Sequence, residues 1–341
     1  MAGTAAKNEP RLLIQPFGKI MKHITSIITA FVLVQSAIAA GAPARPLKVF
    51  ILAGQSNMQG QGIVTAQDKD GSERPGTLVA MLRNPAKAPL LKKWVDAKGA
   101  WAEKREDVWV YDVSERGERH GVLEFGYGWD LGSRVWFGPE MQFGHVLGDR
   151  FDNQVLIIKT AWGGKDLCKD FRPPSSGGAV GPFYTDMIGT VKKVLGDLKA
   201  QFPGYAGGGY ELAGLVWWHG WNDYCSPKVG VPEYEVNLTN LIKDVRHDLG
   251  VPKLPVVIGE FTGPWGADCK EAAALTIRKA QKTVAQKPEF AGTVMFVETH
   301  DFVRPEKESP TGEAHHEFKN GETYFLIGDA LGKGMLNLLL K

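Results

Sequence analysis

The stretch Leu47-Lys48-Val49-Phe50-Ile51-Leu52-Ala53-Gly54-Gln55-Ser56-Asn57-Met58 decides the fold. Leu47–Ala53 is an almost unbroken apolar run, without the in–out alternation of a strand that has one wet face. Such a run fits a strand covered on both sides, and it ends in a glycine turn that carries a serine. Four further runs have the same character: Val155–Lys159, Ala213–Trp218, Leu254–Glu260 and Thr293–Glu298. Helical patterns lie between and after them, at Glu140–Arg150, Tyr184–Gln201, Val231–Leu249, Lys270–Gln286 and Glu322–Leu340. Strand alternating with helix implies parallel pairing through right-handed crossovers. The expectation is a three-layer α/β/α sandwich with a five-stranded parallel sheet.

The segment from about 61 to 137 breaks this rhythm with turn residues and charges, and contains one strand signal, Val108–Val113. It reads as an insertion between the first strand and its helix, looping over one edge of the sheet.

The 341 residues are 43% hydrophobic and 23% charged, which suits a globular domain. A net charge of +2 with no polybasic run gives no field for holding nucleic acid. Met21-Lys22-His23, the apolar Ile24–Val34 and Ser36-Ala37-Ile38-Ala39-Ala40 have the order of a secretory signal peptide, cleaved after Ala39. Residues 1–20 are then an upstream extension and about 46–341 the mature domain, secreted or periplasmic. The competing reading is an uncleaved N-terminal anchor. No other stretch is long and apolar enough to suggest a span, so none is expected after signal cleavage. The oligomeric state is left open.

In open parallel sheets, ligands bind outside the carboxyl ends of the strands. Three strand ends therefore matter, Gly54-Gln55-Ser56, Trp162-Gly163-Gly164 and Gly220-Trp221-Asn222-Asp223, and after the fifth run come Asp301 and then Glu313-Ala314-His315-His316 before the last helix. Serine becomes a useful nucleophile once a base takes its proton, and His316 is suited to that near neutral pH. The oxyanion formed on an ester carbonyl needs donors already in place. The backbone N–H groups of Ser56 and Gly164 and the side-chain amide of Asn222 would supply three. Each residue also has an ordinary role open to it: a turn, a strand end, a helix cap, a surface histidine. Their joint placement at one rim favours catalysis.

Gly54-Gln55-Ser56-Asn57-Met58 resembles the first block of SGNH hydrolases, in the carbohydrate-esterase branch that includes sialate O-acetylesterases and acetyl xylan esterases. Trp162-Gly163-Gly164 resembles the second block, and Gly220-Trp221-Asn222-Asp223 the third, whose asparagine serves the oxyanion hole. The resemblance implies a serine esterase acting on an acetylated carbohydrate, with no metal or organic cofactor. It departs from the family at the last block, Asp-x-x-His, where Glu313 stands three residues before His316. Glu313 is thus the first choice to orient the base, with Asp301 as rival acid, a Ser-His dyad helped by a backbone carbonyl as the third reading, and His315 as rival base. Trp162 and Trp221 are expected to line the sugar pocket, with at least one of Trp217 and Trp218 in the core. Cys168 and Cys225 follow the second and third blocks, and a disulfide between them would brace the hole. An ester other than a carbohydrate's, or a glycan-binding module without turnover, are the remaining readings.

Overall fold

In a computed structural model, residues 45–340 are described; the signal-peptide reading concerns residues outside that range. In chain order the elements are β1 (Leu47–Gly54), α1 (Ser56–Gln59), β2 (Gly62–Ile63), α2 (Leu78–Arg83), β3 (Arg105–Ser114), β4 (Gly117–Leu123), β5 (Trp136–Phe137), α3 (Glu140–Gly148), β6 (Val155–Ala161), α4 (Pro182–Gly196), α5 (Leu198–Gln201), β7 (Tyr210–Trp218), α6 (Trp221–Tyr224), α7 (Gly230–Asp248), β8 (Val256–Gly259), α8 (Ala272–Ala285), β9 (Val294–Val297) and α9 (Gly321–Leu339). Seven strands form the main sheet in the order β4-β3-β6-β1-β7-β8-β9. All neighbours pair in parallel except β3 and β4, which form an antiparallel hairpin. β2 and β5 make a separate small pair.

The five apolar runs are β1, β6, β7, β8 and β9. Their lack of alternation follows from cover on both faces. Leu47, Val49, Ile51 and Ala53 of β1 enter a core with residues of α4, α7 and α8. Phe50 and Leu52 point the other way, into a core with α3 and α9. The sheet has two more strands than expected. Val108–Val113 lies within β3, which pairs with β6 in register from Val108↔Val155 to Val113↔Thr160. The inserted segment thus extends the sheet as well as looping beyond it. The outermost strand, β4, reads Gly-Glu-Arg-His-Gly-Val-Leu, too polar to signal a strand from sequence.

One buried ion cluster fixes the base of the serine turn. Lys159 of β6 is fully buried, and its Nζ lies 2.9 Å from both Asp112 of β3 and Glu140 of α3. It also donates to the carbonyl of Gln59, the last residue of α1, at 2.7 Å, and to that of Tyr127. Burial pushes Asp112 up to about 7 against the pull of the lysine, and raises Glu140 as well. Three elements and α1 therefore share one desolvated charge.

Candidate active site

Register aligns the strand ends. Gly54 of β1 sits opposite Ala161 of β6 and Trp218 of β7, and Trp218 opposite Gly259 of β8. Gly54 must be small, because a Cβ there would stand 2.2 Å from the carbonyl oxygen of Trp218. The chain then turns at Gln55 and places Ser56 first in α1.

Ser56 Oγ lies 3.1 Å from Nε2 of His316, and Nδ1 of His316 lies 3.3 Å from Oε2 of Glu313. With its proton on Nδ1 the ring turns a free lone pair to the serine hydroxyl. Burial, aided by the neighbouring His315, pushes His316 down to about 4, although Glu313 pulls the other way. The ring is therefore a neutral acceptor at neutral pH. Glu313 itself is held below its usual range: burial opposes ionisation, but Lys319 and His316 outweigh it. Lys319 takes Oε1 of Glu313 and leaves Oε2 for the histidine.

The rival residues stand elsewhere. Asp301 is exposed and pairs with His300. His315 is exposed, its ring 4.0 Å from that of His316, on the side of Trp221. Asn57 and Tyr324 support the base loop: Asn57 Nδ2 donates to the His315 carbonyl at 3.4 Å. The Tyr324 hydroxyl lies 2.7 Å from Asn57 Oδ1 and 3.3 Å from the His316 carbonyl.

Of the three donor residues named from the sequence, Asn222 and Gly164 meet, next to Gln55, the chain neighbour of Ser56. Asn222 Nδ2 donates to the Gly164 carbonyl at 2.8 Å, while Asn222 Oδ1 accepts from Gln55 Nε2 at 3.1 Å. Gln55 Oε1 in turn accepts from the backbone N–H groups of Gly220 and Asn222. Gln55 thus orients the amide so that its nitrogen faces Gly164. The Gly164 backbone has φ +71°, where glycine is favoured. Among the described residues, the N–H groups of Ser56 and Gly164 have no hydrogen-bond partner, as a site for a developing oxyanion requires.

The loop carrying Gly164 is held from three directions. Buried Asp223 accepts from Leu167 N at 2.7 Å and Cys168 N at 3.1 Å. His219 Nε2 meets the Lys165 carbonyl at 2.9 Å, and Glu115 accepts from Gly163 N at 3.2 Å and from Gln59 Nε2 at 2.9 Å. Asp223 performs the bracing that a Cys168–Cys225 disulfide was expected to supply. All three cysteines are free thiols, Cys168 buried and Cys225 exposed.

Of the tryptophans, Trp162 departs from expectation. Trp162 is buried against Phe171 and Phe183, so its face is spent on the core. Trp217 and Trp218 are both core residues. Trp221 is partly open and stacks on Trp265, with centroids 5.9 Å apart and planes 16° apart. On the other flank Trp129 approaches His316, and the Arg116 guanidinium lies 4.1 Å over its ring. Gln55, Glu115, Lys319, Trp129 and Trp265 carried no assigned role in the sequence; the first lies inside a motif that does mark it.

Glu313, His315 and His316 are the one group among the described residues close enough to share a cation, with ligand atoms within 4.8 Å. Lys319 already neutralises Glu313, and His316 faces Ser56, so the group is read as proton-transfer machinery.

A mostly parallel sheet that gathers a serine, a histidine, a carboxylate and free backbone N–H groups at one rim has the parts that acyl transfer uses. The profile described as carbohydrate esterase, sialic acid-specific acetylesterase matches residues 46–309. The chain belongs to that family and is a carboxylic ester hydrolase. The matched residues include Ser56, Gly164 and Asn222 and end before Glu313 and His316. A relative, the probable carbohydrate esterase At4g34215 of Arabidopsis thaliana, is 25% identical over 217 residues, covering 63% of this chain and 69% of its own. The X-ray structure of the Arabidopsis thaliana protein AT4G34215 is similar, with TM-score 0.52 and 18% identity, over 85% of this chain and 98% of that one. The crystal structure of NanS gives TM-score 0.54 at 13% identity, over 88% and 99%. These structural likenesses concern the fold.

Proposed function

We propose that the protein is an exported serine esterase that removes O-acetyl groups from a carbohydrate through an acetyl-serine intermediate. The observation that carries this reading is the continuous chain Glu313–His316–Ser56, with Asn222 and Gly164 hydrogen-bonded to each other just beyond the neighbouring strands. Ser56 Oγ attacks the acetyl carbonyl carbon while His316 Nε2 takes its proton. The carbonyl oxygen becomes an oxyanion facing the three donors. On collapse, His316 returns the proton to the departing sugar oxygen, leaving acetyl-Ser56. Water, deprotonated by the same ring, then releases acetate. Glu313 steadies the ring and its transient charge.

The sugar is of the sialate or plant and algal polysaccharide type. Trp221 with Trp265 on one flank and Trp129 on the other offer aromatic faces beside the base, which suits stacking on a sugar ring. Export rests on the basic, apolar and Ala-x-Ala order of residues 21–40, and N-terminal sequencing of exported protein should begin at Ala40. The experiment is acetate release from O-acetylated sialic acid, acetylated xylan and p-nitrophenyl acetate. Turnover on a glycan ester supports the reading. Glycan binding without acetate release overturns it in favour of a binding module, and turnover confined to non-carbohydrate esters overturns the substrate class.

A further inference from the structure

Immediately after the base the backbone does something costly. Glu317, Phe318 and Lys319 take φ of 51°, 55° and 58° in succession, the left-handed region that non-glycine residues avoid. Such a turn persists only where surrounding contacts hold it. The deepest of those contacts is Glu317, which is fully buried although it adjoins His316. Its Oε1 accepts from Thr262 Oγ1 at 2.8 Å, just beyond β8. Its Oε2 is buried and has no hydrogen-bond partner among the described residues.

That carboxyl borders a small cavity of about 10 Å³, also lined by Gln55, Asn57, His219, Gly220 and Thr262. The volume suits one water. Gln55 sets the Asn222 amide and Asn57 supports the base loop, so the cavity lies where the serine turn, the oxyanion turn and the base loop meet.

We propose that Glu317 is a positioning residue for His316: held as a neutral carboxylic acid, it pegs the left-handed turn to Thr262 and donates a hydrogen bond from Oε2 to a water shared with the serine and oxyanion turns. The proposal rests on the esterase reading for its kinetic consequence but not for its structural one. The charged neighbours agree with a neutral acid. Arg278 of α8 is the nearby cation, but it donates to the carbonyls of Phe261, Thr262 and Gly266 and faces Glu260. His219 is kept neutral by burial, and Tyr324 of α9 presents a phenol. On its own loop, Lys319 is engaged by Glu313. Burial, opposed by Thr262, Arg278 and the backbone N–H of Gly263, moves Glu317 up to about 8. Above that pH a charge would form beneath the base, with Arg278, already bonded to three carbonyls, as the nearby cation.

The test uses Glu317→Gln, which mimics the neutral acid, and Glu317→Ala, which removes the peg. On p-nitrophenyl acetate at pH 7, Glu317→Gln should keep kcat within about threefold, and Glu317→Ala should lose about thirtyfold or more with KM nearly unchanged. The wild type should lose activity with a midpoint near pH 8, and Glu317→Gln should lack that limb. Because the native acid is raised, its favourable contribution is present below the ordinary carboxylate range and is lost as pH climbs to about 8. The melting temperature of Glu317→Gln should therefore gain on the wild type between pH 5 and pH 9. This readout needs no turnover, so it stands even if the esterase reading fails. A folded Glu317→Ala with wild-type kcat, an alkaline limb unchanged by Glu317→Gln, or a melting difference independent of pH would overturn the proposal.

Discussion

Acidification should spare this enzyme to an unusual degree. The base must be neutral to accept the Ser56 proton, and burial together with His315 depresses His316 to about 4. At pH 5 a group with that value is about 90% neutral, whereas an imidazole at its ordinary value near 6.5 would be only about 3% neutral. The retained kcat/KM at pH 5 thus separates the two cases by about thirtyfold. Initial rates of acetate release from pH 3.5 to 8, on a substrate without titrating groups, measure it. Two substitutions check the cause. His315→Ala removes a neighbour that opposes charge on His316 and should move the acid limb upward. Glu313→Gln removes the carboxylate that favours that charge, so it should move the limb further down and lower kcat by about a thousandfold or more. A wild-type limb centred between pH 6 and 7 would refute the reasoning, because it would mean that His316 is solvated like a free imidazole.

Lys159→Met should destabilise the fold by about 3–5 kcal/mol in urea unfolding, since it strands Asp112 and Glu140 without their cation. Asp223→Ala leaves the N–H groups of Leu167 and Cys168 unpaired, and should cost about 2–5 kcal/mol while lowering kcat through the loosened Gly164 loop. Trp221→Ala should raise KM for a glycan ester about tenfold more than for p-nitrophenyl acetate, and equal effects on both would remove its sugar role.

Much of the sheet was legible because strands buried on both faces advertise themselves as continuous apolar runs. β3 was legible as a strand but not as a sheet neighbour, since pairing with β6 brings together residues 47 apart and local pattern carries no partner. β4 was hidden by its polar edge position. Ser56, Gly164, Asn222, Glu313 and His316 could be named because each sits at a strand end or a spaced motif. Gln55, Glu115, Lys319 and Trp129 act through contacts that only the folded chain creates: Glu115 reaches Gly163 from the β3–β4 turn. Trp162 shows the opposite failure. A residue at the correct strand end still turned its ring into the core, because rotamer and packing are set by Phe171 and Phe183. The expected disulfide failed for a related reason. The two loops do approach, but Asp223 joins them through backbone N–H groups that sequence does not display.

The central claim is that Ser56 is the nucleophile, and the most direct measurement is acetate release by the wild type and by Ser56→Ala on the same acetylated glycan. The expected result is turnover by the wild type and a loss of at least about a thousandfold in kcat for the variant, with its fold and melting temperature retained. Equal rates for the two proteins would contradict it.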